Sequence, residues 1–139
     1  MPISIEDYVG PWAGSIDWTV ERQANAARLL SVINPLEEEM TRDYGILFLT
    51  NPKTKTQVSG ETLGGFRPQS APVGAPHSAH KEGLAVDRYD PNGMIDEWMM
   101  NHQDRLAELG VHIEHPSTTP GWSHWTIRAP GSGLPVFYP

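Results

Sequence analysis

The run Ser78-Ala79-His80-Lys81-Glu82-Gly83-Leu84-Ala85-Val86-Asp87 sets an imidazole and a carboxylate on either side of a glycine and a short apolar stretch. A tight turn at Gly83, where a Cβ would obstruct close backbone approach, followed by a strand returns Asp87 toward His80. Neutral imidazole nitrogen and carboxylate oxygen are donors that zinc accepts at about 2 Å, and a catalytic zinc site takes three protein ligands with a fourth position open to water. A third ligand must therefore come from elsewhere. Trp122-Ser123-His124-Trp125 offers it, because a His on a strand can point into a shared pocket while its neighbours face the other way. The chain has no cysteine, so thiolate sites, Cys nucleophiles and disulfides are excluded and any metal must use His and carboxylates.

The elements that must position these residues are legible in outline. The 139 residues amount to one domain, large enough to bury a core without disulfides. Residues 1–18 mix Pro, Gly and aromatics without a period and read as an irregular arm. From Thr19, a possible cap, the positions Val20, Ala24, Ala27, Leu30 and Ile33 recur near helical spacing, with Glu21 and Glu37 to Glu39 on wetter faces. Pro35 predicts a stop or kink, followed by a short second helix over 36–43. Residues 45–50, closed by Asn51-Pro52, read as a buried strand. Residues 64–79 form a long loop carrying Gly, Pro, Ser and Arg67, of the kind that builds a site. Residues 84–87, 111–114 and 122–127 are further strands. A helix runs from about Asn92 or Gly93 to Leu109, with Met94, Ile95, Trp98, Met99, Leu106 and Leu109 on its apolar face and Gly110 as its stop. The tail from Pro130 reads as loop.

Bulk properties restrict the partners. Seventeen acidic against ten basic residues give a formal charge of −7, with no Lys/Arg cluster to engage a phosphate backbone, which argues against nucleic acid. No run approaches the roughly 20 apolar residues of a membrane span, and the opening MPISIEDYVG lacks the basic and apolar regions of a secretory signal. A soluble chain made in the cytoplasm without a signal peptide is the expectation.

The pattern Ser-x-His-x-x-Gly-x-Ala-x-Asp with a later Trp-x-His resembles the zinc D-alanyl-D-alanine and L-alanyl-D-glutamate peptidases of the cell wall. Gly65-Phe66-Arg67 resembles the Gly-Tyr-Arg segment that precedes the zinc motif in that family. The likeness spans roughly residues 24–128 and implies an α+β fold, a small antiparallel sheet with helices packed on one face, shared with the Hedgehog signalling domain. It makes His80, Asp87 and His124 the zinc ligands, Arg67 a group facing the substrate or the developing oxyanion, and Ser78 a substrate contact. It implies hydrolysis of a peptide bond next to a D-amino acid in peptidoglycan stem peptides, by a D,D-carboxypeptidase or an endolysin-like endopeptidase of phage or prophage origin.

One departure bears on mechanism. Many members carry a general-base Glu three residues before the last His, where this chain has Gly121. Glu114, His115 and His77 lie close in sequence to ligand-bearing segments and are the candidates for that role, with Glu114 preferred. The alternative is a non-catalytic, metal-dependent binding or structural module of a virion or cell-wall assembly that kept the site after losing the base. Trp122, Trp125, Phe137 and Tyr138 divide between packing and lining a substrate cleft.

Overall fold

The computed structural model describes residues 2–59, 63–71 and 78–139. It is an α+β structure with a four-stranded sheet in the order β1-β3-β2-β4, where β1 is Ala85–Tyr89, β2 His112–Glu114, β3 Trp122–Thr126 and β4 Val136–Phe137. Among the described residues four α-helices accompany it: α1 Ile5–Val9, α2 Val20–Tyr44, α3 Met94–Asn101 and α4 Gln103–Leu109.

The sheet is mixed. β1 and β2 both run antiparallel to the central β3, but β4 lies parallel to β2, pairing Ile113 with Val136 and Glu114 with Phe137. This corrects both the all-antiparallel expectation and the reading of the tail as loop. A two-residue strand between Pro135 and a terminal Pro139 is too short to show an alternating pattern.

Helix α2 runs unbroken through Pro35. A proline inside a helix costs about 3 kcal/mol, and here packing on both sides offsets it. Leu29, Leu30 and Ile33 precede the proline, Leu36 and Met40 follow it, and all five are buried in one core. Asn34, just before the proline, stays helical and clasps the N-terminal segment: its side-chain carbonyl accepts from Ile3 N–H at 2.8 Å and its amide donates to Ile3 O at 3.0 Å. The buried stripe is rotated from the predicted one, since Val20, Ala24 and Ala27 face solvent and Ala26 and Leu29 are inside. Thr19 caps the helix as expected, accepting from Arg22 N–H.

Three other expectations change. Residues 45–50 do not join the sheet. Gly45 ends α2 in the left-handed conformation, Ile46 packs in the core, and Leu47 and Leu49 are exposed. The helix from 94 to 109 breaks at His102, whose ring stacks on Trp98 at 4.0 Å and whose Nδ1 sits 2.7 Å from Trp98 O. The N-terminal arm is partly regular, with Ser4 capping α1 and a 3-10 turn over Gly10–Trp12.

The two faces of the sheet are unlike. β1 and β3 send Arg88, Ser123 and Trp125 toward α2 and α3, where Arg88 pairs with Glu37 and Ser123 with Asp96. Glu37 is thus buried, not on a wet face as its charge suggested. The alternate residues, Asp87 and His124, meet on the opposite face.

Candidate metal centre

Strand pairing assembles the site. Asp87 is the cross-strand partner of His124 on β1 and β3, so period-two alternation puts both side chains on one face. His80 comes from the 3-10 turn Ala79–Glu82 just before β1. Gly83 closes that turn with φ +74°, and its N–H returns to Ala79 O and His80 O. A Cβ on Gly83 would stand 2.7 Å from Arg22 O on α2, so both the left-handed backbone and the close approach call for glycine, as the sequence predicts.

One carboxylate oxygen joins the three residues. His124 Nδ1 lies 2.7 Å and His80 Nε2 3.1 Å from Asp87 Oδ1, and the three donor atoms all fall within 4.8 Å of one another. Tetrahedral coordination at about 2.0–2.1 Å separates neighbouring donors by roughly 3.3 Å, so small movements of buried side chains suffice to fit a metal ion. All three residues are buried. The donor set, two imidazole nitrogens and one carboxylate oxygen, suits a borderline-soft divalent ion.

The surroundings fix the ligands' orientation and charge. His80 Nδ1 sits 2.9 Å from Gly65 O, an arrangement that places the proton on Nδ1 and leaves the Nε2 lone pair facing Asp87. Arg67 donates from Nη2 to Asp87 Oδ2 at 3.3 Å and from Nε to Leu63 O at 3.1 Å, turning the other oxygen toward the imidazoles. Burial raises the proton affinity of Asp87, but the two imidazoles outweigh it and hold the carboxyl well below the usual range. Burial likewise favours the neutral form of both histidines. It prevails at His80, whose proton affinity falls, whereas the hydrogen bond and charge of Asp87 prevail at His124, whose proton affinity rises.

Two glycines hold this arrangement together. Gly64 O accepts from Asp87 N–H at 2.7 Å, and a Cβ on Gly64 would stand 2.7 Å from Asp87 Cβ. A Cβ on Gly65 would overlap the Tyr8 carbonyl, which accepts from Phe66 N–H at 3.0 Å. Tyr8, buried, donates its hydroxyl to Ala85 O at 2.7 Å and so ties the N-terminal segment to the strand that carries Asp87. Sequence reasoning missed Tyr8. The adjacent glycines before Phe66 were the available signal for close backbone approach.

Glu114 takes its place through register. Ile113 pairs with Trp125, so one residue further along the ladder sets Glu114 across from His124 and makes a single row of Asp87, His124, Glu114 and Phe137 over four strands. Cross-strand neighbours have Cβ atoms about 4.5–5.5 Å apart, within reach for a glutamate. The side chain is half-buried, and burial pushes its carboxyl up, with the His124 charge opposing and the Asp87 charge adding to the shift. The Phe137 ring lies 6.3 Å and the Trp122 ring 6.5 Å from the His124 ring, both edge-on. Trp125 is in the core, while Tyr138 is exposed and stacks on His115 at 4.7 Å.

The remaining candidates are placed less centrally. His115 Nδ1 is 2.8 Å from Ser117 Oγ and its ring is under Tyr138. His77 lies outside the described residues. Ser78 caps the 3-10 turn, its Oγ accepting from His80 N–H at 3.3 Å. Gly121 has φ +84° and its carbonyl accepts from Asp90 N–H at 3.0 Å, so a glutamate at this position would be strained.

The residues define an α+β chain with a buried His80–Asp87–His124 group able to hold a metal ion. No family model matches the chain, and no curated protein or solved structure matches it either. Among the described residues, no helix is long and apolar enough to cross a membrane.

Proposed function

We propose that this chain is a zinc-dependent peptidase that hydrolyses a bond next to a D-amino acid in peptidoglycan stem peptides, with the fold and site of the D-alanyl-D-alanine peptidase group and the setting of a phage or prophage lysis enzyme. The observation that carries the reading is the convergence of His80 Nε2, Asp87 Oδ1 and His124 Nδ1 within 4.8 Å, with Glu114 in the same cross-strand row. His80, Asp87 and His124 would hold the zinc ion, which when bound would supply a Lewis acid for the scissile carbonyl and lower the pKa of a water toward 7.

The chain's own groups do the rest. Glu114 accepts the proton of the attacking water and passes it to the leaving nitrogen, so that the water oxygen bonds to the carbonyl carbon as the C–N bond breaks. Its partial burial raises its proton affinity, which suits a group that must take up a proton and release it again. Arg67 orients Asp87 through Oδ2, and its positive charge beside the site favours the negative charge that develops on the carbonyl oxygen. Ser78 shapes the turn that presents His80, its Oγ accepting from His80 N–H.

The left-handed Gly121, in place of the usual glutamate, favours a second reading: a metal-dependent binding module of a virion or cell-wall assembly. Zinc-loaded protein incubated with purified peptidoglycan separates the two. The peptidase releases new amino groups, and Glu114→Gln retains zinc while losing turnover. Sedimentation with peptidoglycan and no amine release from parent protein overturns the peptidase reading in favour of binding.

A further inference from the structure

Beyond the metal centre, the ladder of β1 and β3 continues for two residues and ends in the pair Tyr89 and Trp122. A strand rises about 3.3 Å per residue and alternates faces, so this pair lies on the ligand face roughly 7 Å from Asp87 and His124. The 6.5 Å separation of the Trp122 and His124 rings agrees with that placement. Here the surface forms a cleft of about 520 Å³, lined by Tyr89 and Trp122 along with Asn51, Lys53 and the turn of Pro120 and Gly121. Among the described residues that line it, Lys53 alone carries a charge. In a chain of formal charge −7, a cleft whose described lining carries a single positive charge favours an anion there.

We propose that this cleft is a substrate subsite in which Lys53 pairs with a free carboxylate carried two residues from the scissile bond, over a floor made by Tyr89 and Trp122. The proposal rests on the peptidase reading and adds to it the class of substrate. An extended peptide spans about 3.3–3.6 Å per residue, so with its scissile carbonyl at the metal centre the residue two positions away reaches the Tyr89–Trp122 pair. The rings receive the apolar stem of that residue, and the ammonium recognises its carboxylate in preference to the corresponding amide.

The test uses N-acetyl-L-glutamyl-L-alanyl-D-alanyl-D-alanine and its L-glutaminyl counterpart, which differ only in carboxylate against amide and carry that group two positions from the residue with the scissile carbonyl. With zinc-loaded parent protein, KM for the glutamyl peptide is expected to be about three- to fivefold lower at low salt, with kcat alike, the scale of one solvent-facing ion pair. Lys53→Ala removes the preference by raising KM for the glutamyl peptide, Lys53→Glu reverses it, and Lys53→Arg keeps it. Calorimetric binding of both peptides to Glu114→Gln gives the same comparison without turnover. Equal KM values for the two peptides in a protein that cleaves both overturn the subsite and leave the peptidase intact. A Lys53-dependent binding preference in a parent that cleaves neither keeps the subsite and overturns the peptidase. Absence of both binding and cleavage overturns the subsite.

Discussion

Asp87 and Arg88 are neighbours on one strand, and each is the buried charge of a cluster on its own side of the sheet. Asp87 shares one oxygen between two imidazoles and gives the other to Arg67, so that several groups converge on a carboxylate at the ligand face. Arg88 meets Glu37 at 2.8 Å, Gln57 O at 3.0 Å and the Phe48 ring at 4.6 Å, locking α2 and residues 48–57 to the sheet from the core side. Its Nε and Glu37 Oε2 are buried without a hydrogen-bond partner among the described residues. The difference teaches that burial of charge alone does not mark a site. Convergence of donors that a metal can use marks one, whereas an ion pair that ties separate elements together marks architecture.

Breaking the architectural cluster has the largest expected effect on stability. Arg88→Met leaves the Glu37 carboxyl without its partner and is expected to cost about 3–5 kcal/mol in urea unfolding, while the folded fraction keeps its zinc. Replacing both members, Glu37→Gln with Arg88→Met, recovers much of that loss, because no unpaired charge then stays buried. An equal loss in the single and double variants would show that packing, not charge, sets the cost.

On the ligand face the expected loss is in rate. Glu114→Gln keeps fold and zinc but lowers turnover by about 10²-fold or more, equivalent to about 2.7 kcal/mol, the usual scale for removing a general base. His115→Ala is the matched control and should cleave near the parental rate, since its ring is held by Ser117 and Tyr138.

A smaller effect sharpens the comparison from the core side. Asp96 accepts from Ser123 Oγ at 2.6 Å and Thr119 Oγ1 at 3.2 Å, and burial pushes its carboxyl up to about 6 despite those bonds. A carboxyl whose folded pKa exceeds its unfolded value contributes stability below about pH 4 that is lost as pH rises through about 6. Asp96→Asn should remove that slope. The difference in unfolding free energy between pH 4 and pH 7.5 is expected to shift by about 2 kcal/mol relative to parent, and an unchanged difference would mean that Asp96 is not protonated in this range.

How much of this was legible depends on whether local spacing or tertiary contact decides. The motif around His80 and Asp87 is local: a left-handed glycine turn feeds a strand, and the sequence alone places both residues. His124 follows from strand alternation next to tryptophans. Glu114 was within reach because β2 had to pair with β3 for it to matter, and it does. What spacing could not show is long-range. Asn34 clasping Ile3 helps carry α2 through Pro35, Glu37 is drawn into the core by Arg88, and β4 exists only by pairing beside β2. The Asp87 contact of Arg67 was equally hidden, since the resemblance pointed that guanidinium at the substrate.

The most direct test is metal content. Elemental analysis of protein incubated with equimolar zinc and desalted should give about one zinc per chain, and His80→Ala, Asp87→Ala and His124→Ala should each lose it while far-UV circular dichroism still reports a folded chain. Full occupancy in all three variants, or none in a folded parent, would contradict the account.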